Sequence, residues 1–502
     1  MATPAWSGHG EFEPAILNVV DGGQYARPGS GLYIYNSNTT APAGNSGTRG
    51  IYAYGQSSAA IPTPTSVDIG GSVPITLAAT NVYNPTANEG VYASTGAQIR
   101  IAGSLNVTTS TTAPTYRARA VVANGIGVGA LANTPSRITV NGTLEADTTQ
   151  AAQTPFAVEA TDGGQISAHG GSIASARSGL LVRASGSGSV DSRFTSAGAT
   201  QMLQAGGNGV TVESASNANA ASVRLDNANI TAHDSGLHLH NGGALSSTIL
   251  YQQGSGSITS THSSAIAFTG GIGKANVDLI DTAVVTTSPS LGGGVDADYV
   301  TIGYAVVSGS GAANRLHMNG GSIKGHILTD NGAKLWLDAS GTVWDTAGNP
   351  NTANSNSLTG MSGAFTIQMP DIRDTIYLQG NDAGLGAGCG NGNLTLVVPT
   401  NQSAPPASPH PVMVCKNAAA APTMALQGGS VVLEGFQYTL QTVPDGARML
   451  YQLVRGAATP TVPPNADVTN VPTLSQWGMI MLSCLLGLTG VRRRIRAQEP
   501  TR

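Results

Sequence analysis

The sequence predicts an all-β protein: a right-handed parallel β-helix with a C-terminal β cap, followed by one C-terminal transmembrane helix. Three observations predict it. Two short strand templates recur through residues 1–345 at intervals of roughly 20 to 40 residues. Glycine is abundant, at 66 of 502 residues, while only 10% of residues are charged and 5% aromatic. An apolar run from Gly478 to Val491 stands directly before Arg492, Arg493, Arg494 and Arg496.

The first template is apolar-x-apolar, two or three turn residues, then apolar again. It occurs as Ile99-Arg100-Ile101-Ala102-Gly103-Ser104-Leu105 and, 39 residues later, as Ile138-Thr139-Val140-Asn141-Gly142-Thr143-Leu144. Looser copies begin at Val223 and Leu316. Period-two alternation over so few residues describes a short strand with one face inward. The Gly and Asn that follow supply the positive φ of a sharp corner. The second template is small-apolar-x-apolar, as in Gly50-Ile51-Tyr52-Ala53 and Gly90-Val91-Tyr92-Ala93. Its copies at Gly179, Gly209, Gly236 and Ser264 are spaced 30, 27 and 28 residues apart. Two strand types alternating within one repeat describe a solenoid rung that hydrogen-bonds to the next at about 4.8 Å along the axis. Sandwich strands run longer and more aromatic, and disorder would not keep apolar-x-apolar at such regular places.

Composition narrows the function. An apolar content of 40% suffices for a core. A net charge of −4, with the basic cluster confined to the chain's end, argues against nucleic-acid binding. Met1 to His9 has neither a basic start nor an apolar h-region, so the export signal is expected upstream of the recorded start.

Residues 346–455 change character after the polar loop Asp345-Thr346-Ala347-Gly348-Asn349-Pro350-Asn351. Strand patterns sharpen at Phe365–Ile367, Thr375–Leu378, Leu394–Val398, Val412–Val414, Ser430–Leu433 and Tyr438–Leu440, and Asp445-Gly446 with Leu450–Leu453 completes a terminal hairpin. This order resembles the C-terminal part of pertactin-like autotransporter passengers, above all in Gly392-Asn393-Leu394-Thr395-Leu396-Val397-Val398 and in Gly429 to Leu440. The resemblance implies a β-helical passenger whose last rungs form a cap and folding nucleus. Residues 456–470, rich in Pro, Thr and Ala, read as a linker. The expectation is that a sorting tail over 471–502 stands where an autotransporter has its membrane barrel.

That tail opens with Val471-Pro472-Thr473-Leu474-Ser475-Gln476-Trp477-Gly478. It resembles the IPTL-CTERM tail, with Val471 where the family usually has Ile. Residues 478–491 as a helix span about 21 Å, short of a bilayer core of about 30 Å, whereas a helix counted from Val471 is long enough. Trp477 would sit near one interface and Arg492, Arg493, Arg494 and Arg496 would stay cytoplasmic, with the N-terminus outside. The resemblance implies that Val471, Pro472, Thr473, Leu474, Trp477 and Gly478 form a signal recognised by a membrane exosortase, which cleaves near it.

Chemistry is sparse. No nucleophile elbow, zinc-helix or serine-protease passenger motif is present, and Gly384 to Gly392 fits no dinucleotide or P-loop spacing and reads as a flexible loop. His238 and His240 flank Leu239 in one strand and share the outward face, where a pair of imidazoles can bind metal or stand as exposed polar residues; the second is expected. Asp296 and Asp298 also share a face, the arrangement used by polysaccharide lyases and hydrolases, but without a nearby base they read as surface residues. Cys389 and Cys415 flank an expected hairpin from Leu394 to Val414, either as a disulfide or as two free thiols; Cys484 lies in the apolar run. No catalytic residue, metal or cofactor is expected. The reading is an exported, non-enzymatic surface rod or adhesin. Its expected partners are the exosortase, the lipid bilayer, and a host or matrix glycan or protein. It is expected as an inner-membrane intermediate held by its C-terminal helix, and then at the cell surface, in the outer membrane or secreted. The alternative is a polysaccharide-active β-helix lyase or hydrolase.

Overall fold

Strands of four to seven residues with one aliphatic face cannot bury that face alone, so they stack. The computed structural model describes residues 15–36, 49–55, 63–79, 88–111, 118–151, 156–185, 190–215, 219–242, 247–270, 273–286, 304–309, 313–329, 333–346, 356–380, 387–405 and 407–458. Within these residues the protein is all-β, with long parallel sheets. An eleven-stranded sheet forms a first column from Ala15–Val20 to Ile327–Thr329. A twenty-four-stranded sheet holds a second column, from Gln24–Arg27, and a third, from Ile34–Asn36. The chain visits them in turn. Asn88–Ser94 lies in the first, Gln98–Ile101 in the second, Leu105–Thr111 in the third, and Ala118–Asn124 is back in the first beside Asn88–Ser94. This coiling is the arrangement of a parallel β-helix.

As far as Ser322–Lys324 each rung therefore carries three strands, where the sequence pattern suggests two. The first template spans a corner: Ile99 and Ile101 belong to the second column and Leu105 opens the third. Only Ala102-Gly103-Ser104 separates them, so the apolar alternation reads through the corner as one element.

Pairing in register turns the alternation into ladders. In the first column Ile51, Val91, Val121, Val158, Leu180, Val210, Leu237, Ile266, Val306 and Ile327 succeed one another, all buried. The 39-residue offset is the pairing of Ile99 with Ile138 in the second column. In the third, the ladder from Ile75 through Ile258 and Ile323 to Trp344 continues into Ile367 and Leu396. All belong to one continuous core cluster.

The corner between first and second columns has a repeated chemistry. Asp21-Gly22, Thr95-Gly96 and Asp162-Gly163 each have φ positive at both residues, the two-residue type I′ geometry. The N–H of each glycine donates to a hydroxyl of the next rung: Gly22 to Thr65 (2.8 Å), Gly96 to Ser136 (2.9 Å) and Gly163 to Ser192 (3.0 Å). Gly164, just after the turn, lies so close to the Ala123 carbonyl oxygen that a Cβ would stand 1.9 Å from it.

Beyond Asp345 the stack narrows without breaking. Leu335–Asp345 serves the second and third columns together, and parallel pairing continues through Gly360–Gln368 and Asn393–Val397 to Thr423–Leu426. Asn356–Leu358, Ile376–Leu378 and His410–Cys415 open a six-stranded sheet that turns antiparallel at Arg448–Ala458 and closes with Phe436–Asp445 and Val431–Leu433. The expected terminal hairpin is present. The expected hairpin from Leu394 to Val414 is not: Asn393–Val397 and His410–Cys415 lie in different sheets, because each pairs in parallel with the rung before it. Tyr438 and Tyr451 are buried in the cap, and the Tyr451 hydroxyl donates to the Pro422 carbonyl.

Leu237→Ala, in the middle of the first-column ladder, should lower the unfolding free energy by about 2–5 kcal/mol. Ile249→Ala, on a half-exposed outward position, should change it by no more than about 0.5 kcal/mol. Urea-denaturation midpoints of the two variants test the ladder; equal losses would contradict it.

Candidate functional surfaces

Outward positions of the first column carry charges whose sign alternates from rung to rung. Arg49 donates to Glu89 at 2.5 Å, Arg119 donates to Glu89 as well, and its other nitrogen reaches Glu159 at 2.8 Å. Arg183 follows on the next rung, and Glu213 pairs with it in register. Glu89 and Glu159 are buried, and the Arg49 guanidinium lies over the rings of Tyr52 and Tyr92 at 4.3 and 4.5 Å. Burial pushes the Glu159 carboxyl up, against the pull of Arg119. Burial also works to lower the Arg119 pKa, but Glu89 and Glu159 outweigh it and hold the guanidinium charged. Sequence reading missed this ladder. Its signal is the residue before the glycine of the second template: Arg49-Gly50 and Glu89-Gly90.

On the rung after Glu213, His238 and His240 occupy the outward face, as their spacing predicts. They are not bare surface groups. His238 Nε2 is 2.7 Å from the Thr269 hydroxyl, its Nδ1 is 3.4 Å from the Asn208 amide, and His240 Nδ1 is 3.3 Å from the same hydroxyl. Burial, helped by His240, pushes the His238 pKa down to about 4. The ring is thus neutral and tied into a polar cluster, and the sequence could not show it because Asn208 and Thr269 come from neighbouring rungs. Among the described residues no group of three or more His, Cys, Asp or Glu is placed to hold a metal ion.

The second column presents a different face. Its two outward ladders read Gln98, Arg137, Gln165, Arg193, Ser222 and Arg100, Thr139, Ser167, Thr195, Arg224, Tyr251. Arg100 faces Asp68 on the preceding rung at 3.3 Å, and Arg224 stands over the Tyr251 ring at 5.3 Å.

Cys389 and Cys415 are disulfide-bonded, with both residues fully buried and Cα atoms 5.9 Å apart. The bond joins the turn leading into Asn393–Val397 to the last residue of His410–Cys415, and so ties the narrowed stack to the cap sheet. Asp296 and Asp298 lie outside the described residues, as do residues 384–386 of the glycine-rich loop. So do the linker's residues 459–470 and the whole of 471–502, with the motif, the apolar run, Arg492, Arg493, Arg494, Arg496 and Cys484. Among the described residues no helix is long and apolar enough to cross a membrane.

Comparison with known families finds the IPTL-CTERM motif at residues 469–496. The match covers the sorting signal expected at Val471 to Gly478, the apolar run and the arginines. No curated protein matches the chain.

Two outcomes follow. The disulfide spans 26 residues, so replacing both cysteines with alanine should cost about 3 kcal/mol of cap stability, read by chemical denaturation; an unchanged midpoint would contradict a stabilising staple. His238 favours its neutral form in the fold, so between about pH 6.5 and about 4 the folded chain binds fewer protons than the unfolded one. Stability present above that window is lost as pH falls through it, by up to about 3 kcal/mol. His238→Gln should flatten this part of the profile relative to the parent protein.

Proposed function

We propose that the chain is a non-enzymatic surface rod, an adhesin or structural coat, delivered to the cell envelope by its C-terminal tail. The observation that carries this reading is the succession of parts: a parallel β stack closed by an antiparallel cap, then a short Pro-rich linker, then a matched IPTL-CTERM motif. A motif of this kind supports sorting to the envelope through a membrane-associated processing enzyme. In this reading the exosortase recognises Val471, Pro472, Thr473, Leu474, Trp477 and Gly478. The apolar run spans the inner membrane as a helix until cleavage, its arginines on the cytoplasmic side.

The body suits such a task. Stacked rungs display repeated Ser, Thr, Asn and Gln along an extended face, and many weak contacts in a row sum to avidity without any one tight pocket. We further assign the stack to the right-handed, pertactin-like class. The antiparallel strands at the C-terminal end support that assignment, since they close the last rung as a passenger cap would.

Intact mass of the mature protein from membrane and surface fractions tests the sorting step. The expected product ends before Met479. Full-length protein alone in every fraction would instead identify a plain membrane anchor.

A further inference from the structure

Two columns of this body handle charge in opposite ways. On the first column Arg49 and Arg119 each meet a carboxylate on the next rung, so that stretch of the ladder neutralises itself. On the second column Arg137, Arg193 and Arg224 stand exposed within four successive rungs, and the residues registered with them are Gln98, Gln165, Ser222, Thr195 and Tyr251. No carboxylate occupies those ladder positions. Arg137 donates to Gln165 at 2.9 Å. Arg224 Nε reaches Asp226 only at 4.0 Å, and that carboxylate already accepts the Gly198 N–H at 2.9 Å.

We propose that this outward face of the second column, from Gln98–Ile101 to Ser247–Gln253, docks an extended polyanionic polysaccharide lying along the stack. The inference deepens the surface-rod reading and rests on it for exposure of the body outside the cell. Three features select the ligand. The charge is positive, with no carboxylate in register with Arg137, Arg193 or Arg224 and Asp226 reaching only Arg224, in a chain where charged residues are only 10% of the whole, so few neighbouring charges dilute its field. Guanidinium groups pair with carboxylate or sulfate through two parallel hydrogen bonds. The positive groups recur along the axis, Arg137 and Arg193 two rungs apart at about 10 Å. A compact anion would engage one of them, whereas a linear glycan with an acidic group on its sugars meets them in succession. Between the arginines, Thr139, Ser167, Thr195 and Gln165 offer hydroxyl and amide partners to sugar hydroxyls, and Tyr251, backed by Arg224, offers a ring face for a pyranose.

The test is binding of the purified full-length chain to immobilised polygalacturonate, to neutral dextran and to phosphatidylglycerol vesicles, at low and at high salt. Expected are retention on polygalacturonate alone, weakened by salt, and a loss of affinity of about tenfold or more in Arg137→Gln/Arg193→Gln/Arg224→Gln. Arg193→Gln alone should lose less. Arg373→Gln, an exposed arginine held by Asp371 in another part of the protein, should bind as the parent does. Circular dichroism checks that each variant keeps its β structure. No retention of the parent, equal binding to dextran, retention on vesicles only, or an undiminished triple variant would each overturn the strip. None of these outcomes touches the sorting reading, which fails separately if only uncleaved protein is found in every fraction.

Discussion

The parallel register between successive rungs is the constraint on which everything else in this protein depends. A strand of five residues has two or three inward side chains, too few to hold it in place. Once its backbone pairs in register with the rungs on either side, those side chains join a ladder such as Val210–Leu237–Ile266, buried from both directions. A slip of one residue would send the whole aliphatic set outward. The fold is therefore set by neighbour-to-neighbour agreement, and stability is close to a sum of rung and interface terms rather than a property of one global core.

Repeats bring an ambiguity with them, since one aliphatic rung resembles the next and a shift by a whole rung costs little hydrophobic energy. The buried charges of the first column resist that shift. With Arg49, Glu89, Arg119 and Glu159 in order, moving one segment by a single rung would set arginine against arginine and glutamate against glutamate in a poorly hydrated layer. Buried ion pairs are weak sources of net stability, because desolvation offsets most of the attraction, but they are effective at specifying alignment. The hydroxyls of Thr65, Ser136 and Ser192 act in the same sense, each receiving a turn N–H from the preceding rung.

This division explains what the sequence showed and what it hid. Aliphatic alternation is local, so the strands, the pairing of Ile99 with Ile138 and the succession Leu180, Val210, Leu237, Ile266 were all legible. The terminal hairpin was legible too, because Asp445-Gly446 is a local turn signal between two strand patterns. Three strands per rung were not, since a three-residue corner leaves no break in the alternation. Partner choice was the harder problem. Asn393–Val397 and His410–Cys415 look like a hairpin in the chain, yet each finds its partner a rung away. The environment of His238 and the pairing of Glu89 with two arginines are likewise made by residues roughly 30 to 40 positions distant.

The same geometry separates two uses of the surface. An inward ladder tolerates only apolar side chains of matched size, and the outward ladder of the first column is committed to holding register through compensated charge. Beyond the exposed pair of Arg100 with Asp68, the outward ladders of the second column carry neither duty. Arg193 could be glutamine without breaking an ion pair between rungs, whereas Glu89 could not lose its charge without leaving two guanidinium groups facing each other in a buried layer. Like charges placed close together on an exposed face work slightly against folding, and nothing in the packing requires them there. Their presence is more economically explained by what the face meets than by what lies beneath it.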